Sequence, residues 1–186
     1  MNIESHESER SIDYLTESLD YDMRIDSRNL GDFPRVTEED LVSGQEKYIA
    51  LIGNWSVRGD KVHIDIKGII ETNNSGSKNE VEVDFNELQE TLRQAKLEGH
   101  QVANLEIIGE VHTHPKAEDS SHLPSPTDVE QWIQHYANGE FSSSKPFVFG
   151  ISSRRKNNKG TLAFYRIVKN SKGELVPKAF NNWDWD

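Results

Sequence analysis

Gly109-Glu110-Val111-His112-Thr113-His114-Pro115, followed after a polar loop by Leu123-Pro124-Ser125-Pro126-Thr127-Asp128, is the stretch that decides how this chain is read. The first part is strand-like and runs in from the apolar Leu105, Ile107 and Ile108. In a β-strand residues i and i+2 leave the same face, so His112 and His114 can converge on one atom. Pro115 has no N–H to donate and ends the strand. The second part is a helix start, with Ser125 as N-cap, Pro126 at the first helical position and Asp128 three residues after the cap. That grammar accounts for Ser125 and Asp128 without any ligand. It also holds an aspartate where one oxygen is free to meet a metal. Two imidazoles and a carboxylate make three protein ligands and leave a fourth tetrahedral position for water, which is the donor set of a hydrolytic zinc site.

Composition narrows the setting. The 186 residues suit one domain with an extension and suffice for a real core. Thirty-two acidic against 21 basic residues give a formal net charge of -11, which argues against general binding to nucleic acid or to an anionic membrane. No apolar run reaches the length of a membrane span, and the acidic, serine-rich start lacks the plan of a signal peptide. A cytoplasmic protein is the expectation. The chain contains no cysteine, which excludes a disulfide scaffold, thiolate metal sites and every cysteine nucleophile.

Outward from the histidines, the chain is expected to divide into three parts. Residues 1–32 read as an acidic flexible extension, with Ile12, Leu15 and Leu19 at helical spacing behind a Ser11 cap. Residues 33–178 read as the folded domain, and 179–186 as an acidic tail carrying Trp183 and Trp185. Within the domain, Thr37 caps a helix whose first turn holds Glu38, Glu39 and Asp40. Glu46 to Gly53 is a strand ending at a Gly53-Asn54 turn, and Val62, Ile64 and Ile66 alternate as a second strand. Val81, Val83 and Phe85 predict a strand, Asn86 a helix cap, and Leu88, Leu92 and Ala95 the apolar side of a helix stopped by Gly99. Val129, Trp132, Ile133, Tyr136 and Ala137 form the apolar stripe of a helix after Asp128. Phe147 to Ile151 and Thr161 to Val168 read as strands joined by the basic tip Arg154 to Gly160. The order predicts an α/β (α+β) sandwich, a mixed sheet flanked by helices.

His112-x-His114-Pro115 with Pro124-Ser125-x-x-Asp128 resembles the signature of the JAMM (MPN-plus, or JAB) zinc metalloisopeptidases, over roughly residues 33–170. The resemblance implies a cytidine-deaminase-like MPN fold with a curved mixed sheet. It implies zinc on His112, His114 and Asp128, an oxyanion-binding role for Ser125, and a glutamate near the first core strand as general acid/base. Glu46 takes that place in a Glu-x-x-small-x-Leu-x-Gly pattern. Leu51 and Gly53 fall where expected, whereas Ile49 stands at the small position and Ala50 one residue late. Glu39 and Asp40 are the runners-up. Ten residues separate His114 from Ser125, a longer loop than the family's, in which Asp119 and His122 read as surface residues.

The implied substrates are ubiquitin-like modifiers joined through their C-termini to lysine side chains or short extensions. A compact domain of this type resembles the prokaryotic or phage members, some of which serve antiviral conjugation systems. Two rivals remain: a non-catalytic scaffold with the same fold, and a hydrolase of the same kind acting on cell-wall or phage-tail peptides. The metallo-β-lactamase pattern is excluded because Lys116 stands where it needs an aspartate, and no His-Glu-x-x-His is present.

Overall fold

A computed structural model describes residues 12–71, 85–97, 104–114, 122–156 and 159–185, apart from the side chains of residues 27, 29, 85–87 and 95–97. The elements run β1 (Asp20–Ile25), α1 (Ser27–Leu30), α2 (Asp32–Ser43), β2 (Tyr48–Arg58), β3 (Lys61–Glu71) and α3 (Phe85–Leu97). They continue with β4 (Glu106–His114), α4 (Pro126–Ala137), β5 (Val148–Arg154), β6 (Gly160–Lys169) and β7 (Leu175–Trp185). The chain is a mixed α/β structure whose seven strands form one sheet in the order β1-β3-β2-β4-β5-β6-β7. Neighbours are antiparallel except β1 with β3 and β4 with β5. β4, β5, β6 and the first half of β2 are buried on both faces, as central strands covered on two sides must be.

Two apolar clusters lie on the two faces. One joins Phe33 and Val36 of α2 to Ile49, Ile64, Val111 and Phe164. It also takes Tyr21 and Met23 from β1 and Phe180 and Trp183 from β7, so the sheet curls around this face until its edges meet. The Tyr21 and Phe180 rings are 5.6 Å apart across that seam. The other cluster sets Leu88 and Leu92 of α3 and Trp132 of α4 against Ile107, Phe149, Ile151 and Tyr165.

The seam is fastened by Arg166 of β6, which is buried under the chain leading into β1. Its guanidinium donates to the carbonyls of Thr16, Glu17 and Leu19 at 3.1, 3.0 and 2.6 Å and lies 4.5 Å above the Tyr21 ring. Arg166→Met keeps most of the stem and leaves these acceptors without their donor. It is expected to lower stability by about 3 kcal/mol or more, read from the urea denaturation midpoint.

Several expectations are corrected. Residues 12–32 are no flexible arm, and Ile12, Leu15 and Leu19 form no helix. Tyr14 and Leu15 are buried, Thr16 bridges to Lys169, and β1 pairs in parallel with β3. The period-two pattern of Asp20-Tyr21-Asp22-Met23-Arg24-Ile25, exposed then buried, outweighs the helical spacing before it. Residues 1–11 lie outside the described residues. The boundary at 178 falls inside β7, and both tail tryptophans pack on the first cluster.

Thr37 is no cap. α2 starts at Asp32, with Pro34 in the first turn where its missing N–H costs nothing, and Thr37 is interior and buried. The helix stops at Gly44, whose φ of 66° suits glycine. Gly53 is no turn either. β2 passes through it with register shifts beside it, and a Cβ there would lie 2.2 Å from the Asp65 carbonyl oxygen. Phe85 belongs to α3 and Asn86 lies within that helix, while Val81, Val83, Gly99 and Pro115 lie outside the described residues. No helix among the described residues is long and apolar enough to cross a membrane.

Candidate metal centre

β4 lies between β2 and β5, and its alternation sends Glu110, His112 and His114 to the α4 face and Val111 and Thr113 to the α2 face. His112 is fully buried, with its ring 5.4 Å from Tyr48 and 6.1 Å from Trp132. These neighbours leave its ring little freedom. His114, at the strand end, is partly exposed.

α4 supplies the third group through its own first turn. Ser125 has extended backbone angles, its Oγ accepts the Asp128 N–H at 3.2 Å, and its N–H donates to Asp128 Oδ2 at 2.6 Å. This reciprocal cap fixes the Asp128 rotamer and aims the carboxylate at the histidines. Asp128 Oδ1 is 3.4 Å from His112 Nε2, and Oδ2 is 3.4 Å from His114 Nε2. The two Nε2 atoms are 3.1 Å apart. A tetrahedral ion with bonds of about 2.0–2.1 Å places its ligand atoms about 3.3–3.4 Å from one another. The two histidines face different oxygens of the one carboxylate, each separation is close to that spacing, and one ligand atom from each residue lies within 4.8 Å of the others, so the triad can hold a metal ion. Burial alone would raise the Asp128 carboxyl. The hydrogen bonds from His112 and His114 outweigh that and hold it far below the usual carboxylate range.

Glu46 comes to the same place through the sheet. It immediately precedes Lys47, whose N–H donates to Thr113 Oγ1 at 2.9 Å and whose carbonyl accepts the Thr113 N–H at 3.0 Å. Next to them, Tyr48 pairs with His112. Half-buried, the Glu46 carboxyl is raised by desolvation, with the fields of His112 and His114 opposing and that of Asp128 adding. It is outside the ligand set but within electrostatic reach of all three ligands. Ser125 Oγ accepts from one amide, so its hydroxyl proton remains available to another acceptor.

The structure thus brings His112, His114 and Asp128 together, with Ser125 bonded to Asp128 and Glu46 within electrostatic reach of the three. Of the runners-up, Glu39 is exposed and paired with Arg35 and Lys47 at 3.0 and 2.6 Å. Asp40 is buried on the Thr113 side of the sheet. His122 accepts the Tyr165 hydroxyl on its carbonyl at 2.9 Å and is not in the ligand set, while Asp119 lies outside the described residues.

Glu110 was not singled out by its sequence context, although an acid inside an apolar strand run was the available signal. It is buried on the site face, its Oε2 makes no hydrogen bond, and the Trp132 side chain donates to its carboxyl. Burial pushes it up to about 8. Between the ordinary carboxyl value and that one, the folded chain keeps a proton that the unfolded chain releases, so stability falls as pH rises through this window. Glu110→Gln is therefore expected to raise the thermal midpoint of the metal-free protein at about pH 8 and to change it little at about pH 4, read by circular dichroism in the presence of a chelator.

No protein-family model matches the chain, and no curated protein matches it.

Proposed function

We propose that this chain is a cytoplasmic zinc metallopeptidase of the JAMM type, with an MPN fold, that hydrolyses the bond after the C-terminus of a ubiquitin-like modifier. The observation that carries the reading is the convergence of His112 Nε2, His114 Nε2 and the Asp128 carboxylate at 3.1–3.4 Å, with Ser125 capping Asp128 and Glu46 within electrostatic reach of all three. Two imidazoles and one carboxylate suit zinc, and three protein ligands leave the open position that a catalytic site needs. The same donor set serves iron(II) in oxygenases. A proton-accepting Glu46 and a hydroxyl donor at Ser125 have no part in that chemistry.

Zinc bound there supplies Lewis acidity and lowers the pKa of water toward neutrality. The residues supply the rest. The Glu46 carboxylate takes a proton from the attacking water and returns it to the leaving amine. Its desolvated position makes it a better proton acceptor than an exposed glutamate. The Ser125 hydroxyl donates to the carbonyl oxygen as that oxygen gains negative charge. Asp128, held by the helix cap, keeps the histidine rings oriented without spending its whole carboxylate on either.

The test is cleavage of ubiquitin carrying a C-terminal peptide extension and of ubiquitin joined by its C-terminus to a lysine side chain, followed by mass spectrometry. Expected are one zinc per chain, a cut after the modifier's last residue, loss of activity with a chelator and recovery with zinc. A fully zinc-loaded protein that binds these substrates uncut points to the scaffold reading. One that cuts only a cell-wall or phage-tail peptide keeps the chemistry and replaces the substrate.

A further inference from the structure

β4 changes face once, and both histidines lie beyond the change. Tyr48 to Leu51 of β2 pair residue for residue with His112 back to Gly109 of β4, but the next two, Ile52 and Gly53, pair with Ile107 and Glu106. Ile108 is an extra residue with no partner on β2, which makes the site a β-bulge. The two apolar clusters show its effect. Ile107 belongs to the cluster under α3 and α4, whereas Ile108 and Val111 belong to the one under α2. On β2, Ile49, Ala50, Leu51 and Ile52 alternate between the clusters without a break. Strand alternation continued from Ile107 without the extra residue would send Val111 and Thr113 to the α4 face, and Glu110, His112 and His114 to the α2 face. Asp128 lies on α4. One inserted residue therefore decides whether the imidazoles meet the carboxylate.

Two glycines make room for the bulge. A Cβ on Gly53 would lie 2.9 Å from Ile108 Cδ1, so the buried Ile108 side chain takes space that a side chain at 53 would need. A Cβ on Gly109 would lie 2.5 Å from Val148 Cγ2, 2.7 Å from the Val148 carbonyl oxygen and 3.1 Å from Leu51 Cδ1. Gly109 and Val148 form the first pair of the parallel β4–β5 ladder, which runs on to His112 with Ile151 and His114 with Ser153. A backbone oxygen cannot swing aside as a side-chain tip can. A side chain at 109 thus pushes β4 and β5 apart at the start of the ladder that carries both ligands.

The geometry points to Ile108 and Gly109 as positioning residues of the metal centre. Ile108 acts by its count, turning His112 and His114 toward Asp128, and Gly109 acts by letting β5 close on the bulge. Neither is a ligand. The proposal rests on the metal-site reading given above.

The test uses the full chain. Ile108→Ala keeps the number of residues and removes only packing, Gly109→Ala crowds the first β4–β5 pair, and deletion of Ile108 removes the bulge. Each protein is measured for zinc affinity by competition with a coloured chelator and for its urea denaturation midpoint. In the metal-free state, nuclear Overhauser contacts are recorded between the His112 ring and the Tyr48 and Trp132 rings, which lie 5.4 and 6.1 Å from it. Ile108→Ala is expected to lower the midpoint while zinc affinity and ring contacts stay as they are. Gly109→Ala is expected to lose about 10-fold or more in zinc affinity and to weaken the contacts. The deletion is expected to take up no zinc and to lose the contacts. The proposal is overturned if Gly109→Ala binds zinc like the unmodified protein, if the folded deletion still takes up zinc, or if zinc affinity falls alike in Ile108→Ala and Gly109→Ala. If the deletion fails to fold, the two substitutions decide. An unmodified protein that takes up no zinc overturns the metal reading alone, and the ring contacts then decide the bulge.

Discussion

Asp128→Ala is expected to leave a folded protein that retains no zinc and turns over no substrate. The substitution removes both oxygens that face the histidines at 3.4 Å and the only charge in the ligand set. Two neutral imidazoles with no anionic partner make a poor site for a divalent ion. The same change deprives the Ser125 N–H of its acceptor at 2.6 Å, for which about 1 kcal/mol of stability is the expected loss. That cost is small beside the 5–15 kcal/mol or so that holds a domain of this size folded. Metal content after dialysis against buffered zinc separates the two effects, with urea denaturation run alongside. Asp128→Asn sharpens the comparison, because its amide oxygen can still take the Ser125 N–H while its charge is gone. One zinc per chain in Asp128→Ala would remove aspartate from the ligand set.

Glu46→Gln is expected to behave in the opposite way, keeping its zinc and losing turnover. Glu46 lies outside the ligand set, so the metal has no reason to leave. The amide preserves shape and hydrogen bonding but takes no proton, and a positioned general acid/base contributes about 10²–10⁴-fold to rate. The comparison is kcat for both proteins at matched zinc occupancy. Glu39→Gln is the control: Glu39 is exposed and engaged with Arg35 and Lys47, and unchanged activity is expected of it. Full activity in Glu46→Gln would disprove its role.

The acids near the site show how far residue patterns reach. Glu46, Glu39 and Asp40 lie within eight positions of one another, and all three are plausible bases by spacing. What separates them is the face on which each one lies. α2 starts six residues earlier than its Thr37 cap predicts, and its packing turns Asp40 into the sheet and leaves Glu39 outside. Helix-start chemistry was present at Thr37, but packing of Phe33 and Val36 into the core outweighed it. The acidic residues of β1 misled in a similar way. Composition suggested a solvated arm, while the alternation within it already carried a strand whose partner, β3, lies about 40 residues further on.

The sequence by itself pointed to the three residues that can hold a metal ion and to the Ser125 hydroxyl beside them, because each half of that set is local. Strand alternation places His112 beside His114, and a helix cap places Asp128 beside Ser125. Only the tertiary structure decided that the two halves meet at 3.4 Å and that Glu46 lies within electrostatic reach of both. The place of Glu46 depends on the register of β2 against β4 and on a clamp between residues 66 positions apart. Pairings over such a span are selected by how whole faces pack, and no short run of residues records them.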